Sequence, residues 1–441
     1  MLASIRYFFA DLAHWLATHR LVTFVAVLGV AGIGVGAYLA ATSGSDEPGT
    51  VNAPPAPQVV VKEQAPPPEE PTDLGFPAFA TKNTTRVAGA DPIADAAGVA
   101  LAVYPSSGGI PGPDAVTLVD AGDWQAGIAA ASLVAAPVGA PILITDNGEL
   151  PQLTASAIRS LAPAGSAKTG GRQVFAIGAA ASPAGFDAKQ IGGDDPATMA
   201  SELDQWRTEL AGEPEHLLIV NSDEPALAMP AAAWAARSGD PVLFTDADAL
   251  PKPTAEAIHR HERSQVFVLG DESVISNDVF KVVKKISPGA QRLDGSDSVT
   301  NSIDFARYSS GSFGWNINDP GHGFVIANAD RPLDAAAAAA LSASGTWGPL
   351  LVTDDADAPP TPLQSYLLDV KPGYESDPTR AVYNHVWVIG DPGAISVAFQ
   401  AQVDELAEVT PVSSGSGGSK LGPPPGTPES SPPSGQSKGT K

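Results

Sequence analysis

The sequence predicts an α/β protein made of three tandem α/β repeats with parallel sheets, preceded by one transmembrane helix. Three observations predict it. A run of Pro, a few apolar residues and Thr-Asp occurs three times, at Ala140–Asp146, Asp240–Asp246 and Gly348–Asp354. Such a run is too short for a membrane span and too apolar for a one-faced strand, so it fits a central strand of a parallel sheet. A second apolar run ending on glycine follows each, at Val174–Gly178, Val266–Gly270 and Val386–Gly390. Finally, Leu21 to Ala41 runs 21 residues without a charge, about 30 Å as a helix.

Residues 1–20 are short, mixed and slightly basic, with Arg6 and Arg20 against Asp11, whereas Asp46-Glu47 follows the span. That asymmetry predicts a cytoplasmic N-terminus and a body outside the membrane. A cleaved signal peptide is the alternative; the long segment before the span and the length of the span itself argue for the anchor. Gly32 and Gly36 have the spacing that lets two membrane helices pack closely. Residues 42–80 are rich in Pro, Glu and Ser and cannot bury a core, so they predict an extended stalk of up to ~100 Å. Residues 411–441 form a second tail of this kind.

Between stalk and tail lie repeat 1 (84–189), repeat 2 (190–290) and repeat 3 (291–410), their openings about a hundred residues apart. Each opens on a short signature: Arg86 to Asp91, Gln190 to Asp195, Arg292 to Asp297. A helix follows, expected over Pro92–Val103, Pro196–Leu210 and Ser298–Tyr308. The signature Asp then stands at the N-cap, with Pro92 and Pro196 at the first helical position. Strands are expected at Ala115–Val119, His216–Val220 and Gly323–Ala327, then Ala-rich helices centred on Ala129–Ala136, Ala231–Ala236 and Ala335–Ala340. The Pro–apolar–Thr-Asp strand, another helix and the Gly-terminated strand complete the unit. Alternation of this kind predicts a parallel sheet with helices on both faces.

These signatures resemble the cell-wall-binding repeat type 2 of Gram-positive bacteria, a family usually found as three tandem copies. Arg86, Gly89 and Asp91 match its opening, as do Arg292, Gly295 and Asp297; in the second unit Gly193 and Asp195 match while Gln190 replaces the Arg. Gly139 to Thr145 matches its Gly-Ala-Pro strand closely. The Arg-Tyr that follows the signature Asp in the family is absent from all three units, the Asp-Ala before the small-residue helix survives only at Asp334-Ala335, and the double Gly after the last strand is single. The resemblance covers roughly residues 84 to 410. It implies a pseudo-threefold arrangement of the repeats and non-covalent binding of a cell-wall polymer.

Net charge is −24, from 25 basic and 49 acidic residues, which argues against nucleic acid as a partner. With no cysteine, thiol catalysis, zinc–thiolate sites and disulfides are excluded. No Gly-x-Ser-x-Gly and no His-Glu-x-x-His occurs, and His259-x-His261 reads as a solvated helix face, so the chain is read as a non-enzyme. Open parallel sheets bind ligands beyond the carboxyl ends of their strands. The candidate ligand-binding residues just beyond those ends are therefore Asp120, Asp123, Thr145 and Asp146 in the first unit, Asn221, Asp223, Thr245 and Asp246 in the second, and Asn328, Asp330, Thr353 and Asp354 in the third. The opposing reading is that Thr and Asp here only satisfy loop backbone groups. No cofactor is expected, but a divalent cation bridging polymer phosphate to Asp146, Asp246 or Asp354 would reconcile an acidic body with an anionic polymer. The expected partners are a cell-wall polymer and, through Leu21 to Ala41, the membrane. Rival readings are an anchored scaffold for another envelope protein, and an envelope hydrolase.

Overall fold

The computed structural model describes residues 79–104 and 112–412. The expected cytoplasmic segment, the span at Leu21 to Ala41, the stalk up to residue 78 and the tail from residue 413 lie outside the described residues. Among the described residues no helix is long and apolar enough to cross a membrane.

Each unit repeats one order of elements. A central strand (Val116–Asp120, His216–Asn221, Gly323–Asn328) leads into an Ala-rich core helix (Trp124–Ala130, Pro225–Ser238, Leu333–Ala340). A flanking strand follows (Ile142–Thr145, Val242–Thr245, Leu350–Thr353), then an outer helix (Gln152–Leu161, Lys252–Arg260, Thr361–Asp369) and a last strand (Val174–Ile177, Gln265–Leu269, His385–Ile389). Units two and three add a last helix, Asn277–Ile286 and Val397–Ala407. The flanking strands are buried along their whole length, as their unbroken apolar runs require. In each sheet the central strand pairs in parallel with the flanking strand on one side and the last strand on the other.

The fourth position of each sheet comes from elsewhere. The opening strand Ala188–Ile191 pairs with the last strand of the first unit, and Gln291–Leu293 with that of the second. Thr84–Val87, at the start of the body, pairs in parallel with His385–Ile389 near its end, and Phe79–Ala80 adds an antiparallel strand outside it. Every sheet is thus finished by the unit that follows it, and the first unit finishes the third. The helices repeat this cycle. The opening helices Pro92–Val103, Pro196–Ala211 and Ser298–Arg307 pack on the core helices of units three, one and two respectively, and the three core helices pack on one another. Small residues permit this approach: a Cβ on Gly127 would meet Leu333 Cδ2 at 2.6 Å. The flanking strand is also covered, its outward backbone met by the opening helix. Val352 N–H, for example, donates to Ser302 Oγ at 3.0 Å, which removes a free edge from solvent.

Asp91, Asp195 and Asp297 cap their helices as expected, each accepting a backbone N–H three residues on. Two expectations are corrected. The central strands run one residue further than the apolar pattern, so Asp120, Asn221 and Asn328 are the last residues of strands rather than loop residues beyond them. His261 is not solvated: it is buried, with Nε2 at 2.9 Å from the buried Asp204 and Nδ1 at 2.5 Å from Glu213, and only His259 faces water. The helix ends between them, and the chain turns inward at His261.

Candidate functional site

The sequence-predicted residues fall at the carboxyl ends of three separate sheets. In each, the last residue of the central strand stands in register with the Thr that ends the flanking strand: Asp120 with Thr145, Asn221 with Thr245, Asn328 with Thr353. The three Thr are buried and their hydroxyls are committed. Thr145 Oγ1 donates to Val119 O and Asp120 Oδ2, Thr245 Oγ1 to the carbonyls of Asp246 and Ala249, and Thr353 Oγ1 to Asp355 O. The Asp residues that follow, Asp146, Asp246 and Asp354, are exposed, as are Asp223 and Asp330.

The strand order places the crevice between the central and last strands, where the winding of the sheet reverses. Units two and three fill this crevice with their own chain. Asn221 Nδ2 donates to Val274 O at 2.6 Å and Asn328 Nδ2 to Ala394 O at 2.7 Å, while each Asn Oδ1 accepts the N–H two residues on, from Asp223 and Asp330. The signature arginines hold the same loops from the other side. Arg292 Nη1 donates to the carbonyls of Gly270, Asp271 and Ile275, and Arg86 donates to those of Gly390, Asp391 and Ser396 and, through Nε, to Gln400. Gln190 keeps a reduced version of this contact, donating to Gly178 O.

The first unit is different. Asp120 replaces Asn and accepts from Gly122 N–H and Gly148 N–H, tying down the Asp146–Glu149 turn. Asp123 caps the core helix through Ala126 N–H at 2.9 Å. Burial raises the Asp123 carboxyl above its ordinary value against that hydrogen bond, and the charge on Asp120 adds to the rise. A Cβ on Gly178 would meet Asp123 Oδ2 at 2.4 Å, so the last strand's glycine is needed for this close approach. No group of three or more metal-ligating side chains occurs among the described residues.

Sequence reasoning missed a buried charge cluster where the third unit meets the first. Arg331 lies 2.7 Å from Asp95 and 2.8 Å from Asp334, both fully buried. Burial and the facing Asp334 raise Asp95 to about 8, and burial raises Asp334 to about 7; Arg331 opposes both shifts. The equivalent of Asp95 is Met199 in the second unit and Asn301 in the third, each lying against the signature glycine. The lone Asp334-Ala335 was the one available sign of this cluster. Also missed was a cavity at the amino end of the second sheet, lined by His216, Asp240, Arg207 and Arg237. The signal was the pair His216 and Asp240, which replaces Ala115 and Ala140 of the first unit and Gly323 and Gly348 of the third.

Residues 190–280 match the family model for cell wall binding domain 2 (CWB2). The amidase enhancer of Bacillus subtilis (strain 168) is 30% identical over 142 residues, 32% of this chain and 19% of that protein. Among solved structures, Cwp6 from Clostridium difficile superposes with a TM-score of 0.58 at 18% identity, over 74% of this chain and 47% of that one. Cwp8 from the same organism gives 0.57 at 17%, over 74% and 52%. The chain thus spans about a fifth of the curated relative's length and about half of each solved neighbour. The resemblance to the cell-wall-binding repeat family is therefore shown at residues 190–280, within an α/β body that shares the fold of two clostridial Cwp proteins.

Proposed function

We propose that this is a cell-surface protein whose three α/β units hold a cell-wall polymer non-covalently, with Leu21 to Ala41 as a single-pass anchor and the N-terminus in the cytoplasm. The observation that carries the reading is the wall-binding family match at residues 190–280, in a body whose other two units repeat the same order of elements. The exposed Asp146, Asp246, Asp223, Asp330 and Asp354, with Asp120 and Asp123 behind them in the first unit, are the proposed polymer-facing groups. In units two and three, Asn221, Asn328 and the Thr residues shape the loops rather than meet the polymer. A divalent cation would bridge these carboxylates to anionic polymer. Surface location is tested by adding protease to intact, wall-stripped cells: the body should be cleaved away from the anchor, and a protected body would reject the topology.

The name of the Bacillus relative, amidase enhancer, favours a second reading, in which the body docks another envelope protein. The two separate in one capture experiment on the purified chain, offered wall glycan and envelope proteins in parallel. Retention by glycan alone supports polymer binding; retention of a defined envelope protein without glycan supports the scaffold.

A further inference from the structure

The cavity at the amino end of the second sheet, about 340 Å³ in volume, contains a Ser–His–Asp constellation. His216 opens the central strand, Asp240 precedes the flanking strand, and Ser312 comes from the third unit. Ser312 Oγ lies 3.1 Å from His216 Nε2, and His216 Nδ1 lies 2.9 Å from Asp240 Oδ2. Asp240 is itself fixed by Trp234 Nε1–H at 2.8 Å and by the His216 backbone N–H at 3.1 Å. An Asp partner on Nδ1 holds that nitrogen as the donor and leaves Nε2 to accept from a serine hydroxyl, the arrangement that activates a serine nucleophile.

The serine is presented by a tight turn. Ser310 and Phe313 exchange backbone hydrogen bonds around Gly311-Ser312, with Gly311 at φ 64°, where glycine is the residue of choice. Phe313 stacks on Phe267 at 3.5 Å and meets the His216 ring edge-on at 5.3 Å, so one aromatic cluster sets both nucleophile and base. Ser312 is exposed, whereas His216 and Asp240 are 5% and 3% exposed. Ser312 also lies 3.0 Å from Glu215 Oε2, a second acceptor that competes for its proton.

Arg207 and Arg237 line this cavity together with Glu213, Glu215 and Asp240; Arg207 lies in the field of Asp240 and Asp204, whereas Arg237 is exposed, lies over the Trp315 ring and donates to Trp347 O. Arg207 is 6% exposed and its Nε has no hydrogen-bond partner. Glu213 is taken up by His261 and Asp240 by His216, so the Arg237 guanidinium is left to meet an anionic substituent of a bound ester.

We infer that Ser312 and His216, positioned by Asp240, form a hydrolytic site for acyl esters that carry an anionic group, independent of polymer binding at the opposite ends of the sheets. Ser312 Oγ attacks the acyl carbon as its proton passes to His216 Nε2. The tetrahedral adduct collapses, and the alcohol leaves with that proton. Water then attacks the acyl-serine, gives a proton to His216 and releases the carboxylic acid as the proton returns to Ser312 Oγ.

The test uses the purified full chain, a fluorophosphonate probe, and the 4-nitrophenyl esters of acetate and of succinate, the latter carrying a free carboxylate. The expected result is a label located on Ser312 by mass spectrometry and faster turnover of the anionic ester. Ser312→Ala and His216→Gln should each lower turnover at least a hundredfold. Arg237→Ala should abolish the preference for the anionic ester. Asp240→Asn should lower kcat with KM little changed, and Asp240→Glu should recover part of it. Glu215→Gln, which weakens the competing acceptor, should retain or raise the labelling rate. A folded wild-type chain with neither label nor turnover would overturn the proposal. So would variants at His216 and Asp240 that lower only the melting temperature, which would make the pair a polar pin in an aromatic cluster.

Discussion

Arg86, 1% exposed, is the largest side chain under 2% exposed among the described residues, and Asp391 and Asp95 act on it only at a distance; it spends its guanidinium on carbonyl groups of the loop after the last strand. The signature arginine thus holds a neighbouring unit's loop in place. Arg86→Ala would strand the buried Gly390 carbonyl and the half-buried carbonyls of Asp391 and Ser396; a buried unsatisfied group costs about 1–3 kcal/mol, and we expect a loss of about 3 kcal/mol in urea unfolding. The equivalent change at Gln190, whose contacts are few and exposed, should cost less than about 1 kcal/mol. The Asp95–Arg331–Asp334 cluster makes a pH prediction. Both carboxyls are raised above the ordinary value of 3.8, so the folded state keeps protons that the unfolded chain has released. Their contribution is complete at low pH and is lost as pH rises from about 4 to 8. His261 acts with the same sign. Burial alone would lower it, but Asp204 and Glu213 outweigh burial and raise it, so its contribution is also lost at alkaline pH. Melting temperature should therefore be lower at pH 9 than at pH 6, and Asp95→Asn should flatten that difference. An unchanged slope in the variant would remove the cluster as its cause.

At the scale of elements, the order strand–helix–strand was legible because Pro, Gly and Thr-Asp punctuate short apolar runs at one recurring spacing. The partnering of elements was not. Opening strands such as Ala188–Ile191 are short and half-exposed, and Thr84–Val87 pairs with a strand some three hundred residues later, so nothing local marks the exchange. The site was legible in part for the same reason. Asp146 and its counterparts stand exposed at strand ends, but Asn221 and Asn328 take their roles from the carbonyls of Val274 and Ala394, which arrive from distant loops. His261 was misread because its partners lie on and after the preceding long helix. The close-packed core helices allow a sharp test. Gly127→Leu places a side chain where Leu333 and Ala336 already sit, and overpacking of this kind costs about 1–3 kcal/mol or more. Calorimetry should show that loss, whereas Gly148→Ala, where no atom lies near the added Cβ, should show only the smaller strain of a positive φ.

At the scale of the whole molecule, each sheet is completed by the next unit, so stability is shared around the cycle. Residues 190–290 expressed alone lack the Gln291–Leu293 strand and the core helices of both neighbours. We expect that fragment to aggregate or remain unfolded by circular dichroism. The proposed polymer binding also has to reconcile the chain's net charge of −24 with a wall whose polymers are often anionic, since like charges repel over about 8–10 Å at physiological salt. A cation bridge at the exposed aspartates, or a neutral glycan as the ligand, would resolve this under the proposal. The direct measurement is co-sedimentation of the purified chain with cell walls, with and without chelator, and again with walls stripped of anionic polymer. The account predicts sedimentation with intact walls that either falls with chelator or survives the stripping. No sedimentation with intact walls in the absence of chelator, or chelator-resistant sedimentation that vanishes on stripping, would contradict it.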